Sequence, residues 1–208
     1  DYLKRNPLDL LEQETHSQLV GGNMFYNIGY NSKSKGYKSN TKCYKAWNNM
    51  LKRCYDEDYH KRSQSYSECY VCDEWKDFQN FAEWYYNNIY ELGTETMCLD
   101  KDLLVKGNKI YSPETCVILP ETLNKLLINT STNKGKYLTG VSYHKHTKKF
   151  TSFVSLIDKR KCLGYFDTEE EAFEAYKSAK EQVILKMAEL YKDFLPHIVY
   201  KALLNYKI

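Results

Sequence analysis

The feature that most constrains the fold lies near the end of the chain, where three short stretches alternate between apolar and polar residues. They are TGVSYHK, KFTSFVSLI and KCLGYF, and basic turns separate them. A period of two is typical of strands that bury one face. The next stretch, FDTEEEAFEAYKSAKEQVILKMAELY, has the helical period, with Thr168 as its N-cap and Glu171 completing a capping box. The sequence therefore predicts a three-stranded antiparallel sheet packed on one helix, and the apolar tail FLPHIVYKALLNY predicts a short helix that docks back.

The first half of the chain is predicted to be helical. CYKAWNNMLKRCY and CDEWKDFQNFAEWYYNNIY carry aromatic residues at helical spacing, which predicts two core helices, with Asp73 as the cap of the second. A further helix is expected at residues 7–20, before a basic loop. We therefore expect an α+β protein in three parts: an N-terminal helix and basic arm (1–42), a central module with aromatic helices (43–131) and a C-terminal domain (132–208).

Composition indicates a globular protein of the cytoplasm. Hydrophobic residues make up 42% of the 208 residues and charged residues 27%. No apolar stretch reaches the length of a membrane span, so we expect no membrane partner. The first residues lack the apolar core of a signal peptide, and the seven cysteines are scattered, which is typical of reduced thiols. These features predict a location in the cytoplasm.

Charge is distributed unevenly. Residues 131–165 contain eight Lys or Arg against the single Asp158, a local balance of +7. Residues 33–62 contain nine against three acidic residues, a balance of +6. The helix that follows the first of these segments is acidic. Positive segments set against a negative one suggest a polyanion-binding surface, although composition alone slightly favours the alternative, ordinary solvated lysines.

The C-terminal domain resembles the Apetala-type DNA-binding domain of plant ethylene-response factors and phage homing endonucleases. The resemblance covers residues 138–180 and rests on Gly140-Val141, Phe150, Leu163-Gly164-Tyr165-Phe166 and Asp167-Thr168-Glu169 leading into the helix. It implies a sheet laid in the major groove of double-stranded DNA.

Alternation then predicts which side chains face the DNA. If Val154 packs on the helix, the strand residues on the opposite face and the basic residues of the turns contact the duplex. The predicted DNA-binding residues are Ser142, His144, Lys145, Lys148, Lys149, Thr151, Phe153, Ser155, Lys159, Arg160 and Cys162. Few of them can read bases with two hydrogen bonds, so we expect phosphate contacts to dominate and sequence specificity to be modest.

The central module resembles a family of phage proteins described as HNH, or His-Me finger, endonucleases. The match is carried by Tyr44-x-x-Trp47-x-x-Met50-Leu51-x-Arg53-Cys54-Tyr55, by Val71-Cys72-x-Glu74-Trp75-x-x-Phe78-x-x-Phe81, and by Leu99-Asp100-Lys101-Asp102 through Tyr111-Ser112-Pro113-Glu114-Thr115-Cys116. With the C-terminal domain, the layout resembles a homing endonuclease of a phage or mobile element. It implies a ββα finger between Cys98 and Leu127.

The HNH resemblance assigns roles within the finger. It places Asp100 and Asn124 as ligands of Mg²⁺ or Mn²⁺, Lys101 where the general-base histidine stands, and Thr115 at a bracing position. A lysine ammonium is protonated at neutral pH, so Lys101 would stabilise charge on the phosphate rather than accept a proton. Asp102 assists this centre.

Several alternatives stay open at this point. On one strand, Asp100 and Asp102 would share a face and could form a two-carboxylate site, with Lys101 pointing the other way. The aspartates could instead cap turns, leaving an inactive nuclease-like protein that acts as a regulator or inhibits a host nucleic-acid enzyme such as a defence nuclease. Cys69 and Cys72 form a C-x-x-C pair that could hold structural zinc with two further ligands from Cys54, His60, Cys98 and Cys116, but no second pair occurs. We therefore expect buried thiols there rather than structural zinc.

Overall fold

Mixed α and β elements follow one another along the described part of the chain. The computed structural model describes residues 24–128, 136–156 and 159–208. The helices are α1 (Lys42–Tyr55), α2 (Glu57–Arg62), α3 (Asp73–Lys76), α4 (Phe78–Asn88), α5 (Glu121–Leu127), α6 (Glu169–Tyr191) and α7 (His197–Leu204). The strands are β1 (Tyr70–Val71), β2 (Met97–Asp100), β3 (Ile110–Tyr111), β4 (Val117–Pro120), β5 (Val141–His144), β6 (Lys149–Ser155) and β7 (Arg160–Phe166). The predicted α+β class is confirmed, whereas the helix at 7–20 and the boundary near residue 132 lie outside the described residues.

Two compact units divide the chain, and neither is continuous in sequence. The first comprises the described residues up to Tyr90 together with Val105–Ile118. The second comprises Glu91–Leu104 and the described residues from Leu119 to Ile208. The chain therefore passes from the first unit to the second, returns, and passes to the second again.

The core of the first unit is built from aromatic side chains of α1, α3 and α4. Trp47 of α1 is fully buried, and its indole N–H donates to the backbone carbonyl of Trp75 over 2.8 Å. The rings of Trp47 and Phe78 meet edge to face at 5.6 Å. Contacts of this kind add about 0.5–1.5 kcal/mol to the effect of burial alone. The predicted aromatic stripe of α1 is thus confirmed as core.

The second predicted helix is in fact two helices that meet at Asp77. The backbone of Asp77 is extended, and its carboxylate accepts the backbone N–H of Gln79 over 3.1 Å, so Asp77 is the cap of α4. The prediction of Asp73 as the cap was wrong, because Asp73 lies inside α3 and forms an ion pair with Lys76. A side chain that caps in mid-sequence interrupts a helix that the apolar period alone makes continuous.

The loop at residues 31–38 is fastened to the start of α4 by a buried amide. Gln79 is fully buried, and its Oε1 accepts the backbone N–H groups of Lys35 and Tyr37 over 3.2 and 2.9 Å. Its Nε2 donates to Asn31 Oδ1 over 2.6 Å and to the Tyr37 carbonyl over 3.0 Å. Asp77 adds two bonds from Ser32, through the backbone N–H and the hydroxyl. This part of the predicted basic arm is therefore an ordered loop.

The strands of the predicted finger pair in an order that the sequence does not show. β2 forms a two-stranded sheet with β4, whereas β3 pairs in parallel with β1, from about 40 residues earlier in the chain. Gly107, in the loop between β2 and β3, has a φ of +73°. Thr115 braces the loop before β4, because its hydroxyl donates to the Ile110 carbonyl over 2.9 Å. An HNH finger is not established by this arrangement.

The C-terminal sheet and its helix form as predicted. β5, β6 and β7 are antiparallel in that order, and α6 packs on one face. Thr168 and Glu171 form both arms of the capping box. Gly140 passes so close to the ring of Tyr176 on α6 that a Cβ atom would lie 2.2 Å from it. The tail forms α7, which packs against α6 with Val199 and Leu203 buried, as expected.

Candidate nucleic-acid interface and acidic turn

Strand register sets which residues share the sheet face opposite α6. Ser142 pairs with Thr151, and His144 pairs with Lys149, so these four residues lie on one face. Val154 and Ser152 are buried on the other face, toward α6. The sheet thus has a buried side and an outer side, which is the arrangement that alternation predicts. We call the outer side the outer sheet face.

A β-bulge in β7 places Arg160 on the outer sheet face. Ser152 pairs with Gly164, but the next residue of β6, Phe153, pairs with Cys162, so β7 contains one extra residue. The shift brings Cys162 and Arg160 to the side of Phe153. The Arg160 guanidinium lies over the Phe153 ring at 4.1 Å from its centroid, within the range of a cation–π contact.

Tyr165 is an outer-face residue that sequence reasoning missed. It pairs with Thr151, is 55% exposed, and lies with its ring 6.0 Å from that of His144. Simple alternation along β7 cannot place Tyr165, Cys162 and Arg160 together, because the bulge changes the parity between them. The glycine at 164, whose φ of +139° is readily adopted only without a side chain, is the local signal of the irregularity.

Two of the predicted DNA-binding residues are less available than expected. Thr151 is only 4% exposed, although it lies on the outer face; its short side chain stands on the central strand between those of Ser142 and Tyr165. Thr151 therefore lies on the predicted face but offers little surface to a ligand. Lys149 forms an ion pair with Asp167 at 2.9 Å, which neutralises part of its charge.

The other predicted residues lie along the rim and surface of the outer sheet face. Ser142, His144, Ser155, Arg160 and Cys162 are exposed, and Phe153 is half-buried under Arg160. The exposed basic residues of the two turns are Lys145, Lys148 and Lys159. None of these three lysines forms an ion pair with another described residue. The outer sheet face therefore combines exposed aromatic groups with positive charge at its edges.

In the acidic turn, which spans residues 100–103, Asp100 acts as a cap. β2 ends at this residue, and one carboxylate oxygen accepts the backbone N–H groups of Asp102 and Leu103 over 3.0 and 2.7 Å. Burial raises the pKa of Asp100, and these two hydrogen bonds oppose the increase by favouring the charged form. The carboxylate thus holds together the turn that follows the strand.

Lys101 points toward Asp102 rather than away from it. The Lys101 side chain is 8% exposed, and its ammonium lies 2.7 and 2.9 Å from the two Asp102 oxygens. The expectation that Asp100 and Asp102 share a strand face, with Lys101 on the other, is wrong because the strand ends at Asp100. Lys101, which stands where the HNH resemblance expects the general base, therefore forms an ion pair with the neighbouring carboxylate of Asp102.

Tyr206, from the C-terminal tail, also lies near the acidic turn. Its hydroxyl donates to the Leu127 carbonyl over 3.2 Å. Burial raises the pKa of Tyr206, and the negative charges of Asp100 and Asp102 raise it further. Nothing in the local sequence connects residue 206 with residue 100, since the contact depends on how α7 docks.

No metal centre is formed by the side chains of residues 24–128, 136–156 and 159–208: no three His, Cys, Asp or Glu residues converge there. Asn124, the other predicted ligand, is half-buried on α5. Cys54 and Cys69 are buried and Cys72 is half-buried, and none of the three forms a disulfide within the described residues. The magnesium or manganese site at Asp100 and Asn124 stays a prediction from the sequence resemblance.

Comparison with known proteins adds no assignment. The chain matches no protein-family model, no curated protein and no solved structure. None of the described helices is both long and apolar enough to cross a bilayer. The Apetala-type and HNH resemblances therefore stay predictions that rest on the motifs quoted above.

Proposed function

We propose that this protein binds double-stranded DNA through the outer sheet face of its second unit. The observation that carries the proposal is the composition of that face: Arg160 stacked on Phe153, exposed Tyr165 and His144 on the same face, and turn lysines that form no ion pair with a described residue. A two-stranded ribbon or small sheet fits the major groove, and positive charge at its edges lies where phosphates flank the groove.

The same face indicates how the DNA is recognised. Arg160 is the one arginine on it, and the other exposed polar groups are short or form single hydrogen bonds. Bidentate contacts to guanine are the commonest specific base contacts, so a face with one arginine reads few bases. The proposal is accordingly a binder whose affinity comes mainly from phosphates, with strong salt dependence and modest sequence preference.

Binding is tested with a labelled mixed-sequence duplex titrated at several NaCl concentrations. Replacing Lys145 and Lys148 by Gln should make the negative slope of log K against log salt shallower by about 1.8, since each phosphate contact contributes about 0.9 to its magnitude. The matched control replaces Lys125 and Lys177, which belong to the same unit but are held in ion pairs on helices. Equal slopes for the two double variants would refute binding through this face.

For the acidic turn we propose a structural rather than a catalytic role, so that the protein is an inactive nuclease-like DNA binder. The supporting observation is that Lys101 is bound by Asp102 while Asp100 accepts two backbone N–H groups of its own turn. Asp100 and Lys101, which the resemblance places in a catalytic centre, thus already make the contacts of a stable turn.

Nicking of supercoiled plasmid with Mg²⁺ or Mn²⁺ tests this role. We expect no nicking by the wild-type protein. Nicking that disappears in Asp102→Asn, a variant that keeps the cap at Asp100, would overturn the proposal and establish a metal-dependent nuclease. Thermal unfolding compares Asp100→Ala with the wild-type protein. Loss of the cap should lower the free energy of unfolding by about 1–2 kcal/mol.

A further inference from the structure

The outer side of α1 is a row of basic and amide side chains that the sheet-face proposal does not use. Lys42, Lys45, Asn49 and Lys52 follow the helical period and lie opposite the buried stripe that contains Trp47. Lys42 and Lys45 are exposed, and Lys52 is half-buried. From Lys42 to Lys52 the helix rises about 15 Å, the axial length of about four base pairs.

The sequence from Met24 to the end of α1 supplies no negative charge to balance this row. No acidic residue occurs between Met24 and Tyr55, so α1 and the loop before it contain only positive charges. Lys42 and Lys45 lie in the first turns of the helix, where the helix dipole disfavours cations. Local preference and sequence therefore disagree at these positions, and such disagreement is expected where a surface serves binding.

The lysines of this surface also differ in their contacts from three other lysines of the first unit, which are held in ion pairs. Within the described residues Lys38, Lys42, Lys45 and Lys52 form no ion pair. By contrast, the lysines at 61, 76 and 109 are bound to Asp58, Asp73 and Glu68 at 2.7, 2.6 and 3.1 Å. The positive charge of α1 is thus not neutralised by an ion pair with any acidic residue that the structure describes.

The loop before α1 extends the surface in a fixed conformation. Lys38 is exposed, and its carbonyl accepts the hydroxyl of Thr41, the N-cap of α1. Gln79 holds the preceding backbone through the N–H groups of Lys35 and Tyr37. Of the acidic side chains near this loop, Asp77 accepts the bonds from Ser32 and Glu83 forms an ion pair with Lys35, whereas Lys38 forms no ion pair with a described residue. A ligand would therefore meet ordered positive charges.

We propose that Lys38, Lys42, Lys45 and Lys52, here called the α1 basic surface, bind the phosphates of double-stranded DNA. The first unit then contains a second DNA-binding surface, separate from the outer sheet face. A row of ammonium groups that no described carboxylate neutralises suits the repeating charge of a duplex backbone, and these four residues include no arginine fork for reading bases. The surface contributes affinity without sequence preference.

The test compares two triple variants of the full chain with equal net charge. One replaces Lys42, Lys45 and Lys52 by Gln, and the other replaces the ion-paired lysines at 61, 76 and 109 by Gln. Between about 50 and 200 mM NaCl, the α1 variant should make the negative slope of log K against log salt for a mixed-sequence duplex shallower by about 2.7. The control variant should leave the slope almost unchanged.

Equal slopes for the two triple variants would overturn the α1 proposal, including the case in which the surface binds an acidic protein instead. The Lys145 and Lys148 variant of the sheet face is measured beside them. If the slope becomes shallower only in the α1 variant, the α1 surface is supported and the sheet-face proposal is refuted. If it becomes shallower only in the Lys145 and Lys148 variant, the sheet-face proposal is supported and the α1 proposal is refuted. Unfolding curves that match wild type show that each variant is folded.

Discussion

Replacement of Gln79 gives the sharpest test of how the first unit holds its basic loop. In Gln79→Ala the four hydrogen bonds to Asn31, Lys35 and Tyr37 disappear together. In Gln79→Glu the acceptor for the two backbone N–H groups remains. The donor is lost, however, and a buried negative charge faces the Asn31 side-chain oxygen and the Tyr37 carbonyl. The two variants separate the acceptor half of the amide from its donor half.

The expected cost follows from the number of bonds and from the surroundings of their partners. A neutral hydrogen bond contributes about 0.5–1.5 kcal/mol net, so four bonds correspond to about 4 kcal/mol. The loop partners are partly exposed and can bind water once the loop opens, which limits the loss. We therefore expect Gln79→Ala to lower the free energy of unfolding by about 2–4 kcal/mol. Gln79→Glu should cost at least as much because its charge is buried.

Guanidinium unfolding measures the global loss, and amide hydrogen exchange at Lys35 and Tyr37 measures the local one. Asn80→Ala is the control, since Asn80 is the next residue of α4 and its amide makes one exposed hydrogen bond to the Glu74 carbonyl. We expect less than about 0.5 kcal/mol for the control. If Gln79→Ala costs no more than Asn80→Ala, or if the two loop amides exchange at the wild-type rate, the buried amide does not fasten the loop.

Three further predictions concern the C-terminal domain and the thiols. Gly140→Ala should lower stability by about 2–5 kcal/mol, because φ is +78° and the new Cβ would collide with the Tyr176 ring; calorimetry measures this, and a loss below about 1 kcal/mol would contradict the close approach. Thr168→Ala should cost about 1 kcal/mol through loss of the capping box, and Thr168→Ser should restore most of it in thermal unfolding. At pH 8 iodoacetamide should modify exposed Cys162 in the native protein, whereas Cys43, whose pKa burial raises to about 12, should react only after unfolding; mass spectrometry of the peptides would show the opposite order if this is wrong.

Sequence periodicity predicted the elements whose partners are close in the chain. The strands β5, β6 and β7 lie within 26 residues, and the capping box of Thr168 depends on residues three apart, so both follow from local rules. The apolar stripe of α1 was predicted for the same reason. In each case one short segment contains all the information that its structure requires.

Features that depend on distant residues could not be predicted in this way. Asp77 interrupts a continuous apolar period because its carboxylate also binds Ser32, 45 residues away in sequence. β3 pairs with β1 through a parallel contact of two residues on each strand, which is too short to produce a pattern. On the candidate interface, the bulge in β7 changes which residues accompany Arg160, so Tyr165 was missed. At the acidic turn, the early end of β2 reversed the expected direction of Lys101.

The discontinuity of the two units restricts how such a protein can arise and fold. A gene segment cut anywhere along the chain separates a unit from part of itself, because Glu91–Leu104 belongs with residues that follow Ile118, and Val105–Ile118 belongs with residues that precede Tyr90. Neither unit can therefore be exchanged between proteins by a single recombination event. During synthesis, the first unit lacks β3, the partner of β1, until after β2 has left the ribosome. The two units are thus inherited together, and the first is completed only while the second is already being synthesised.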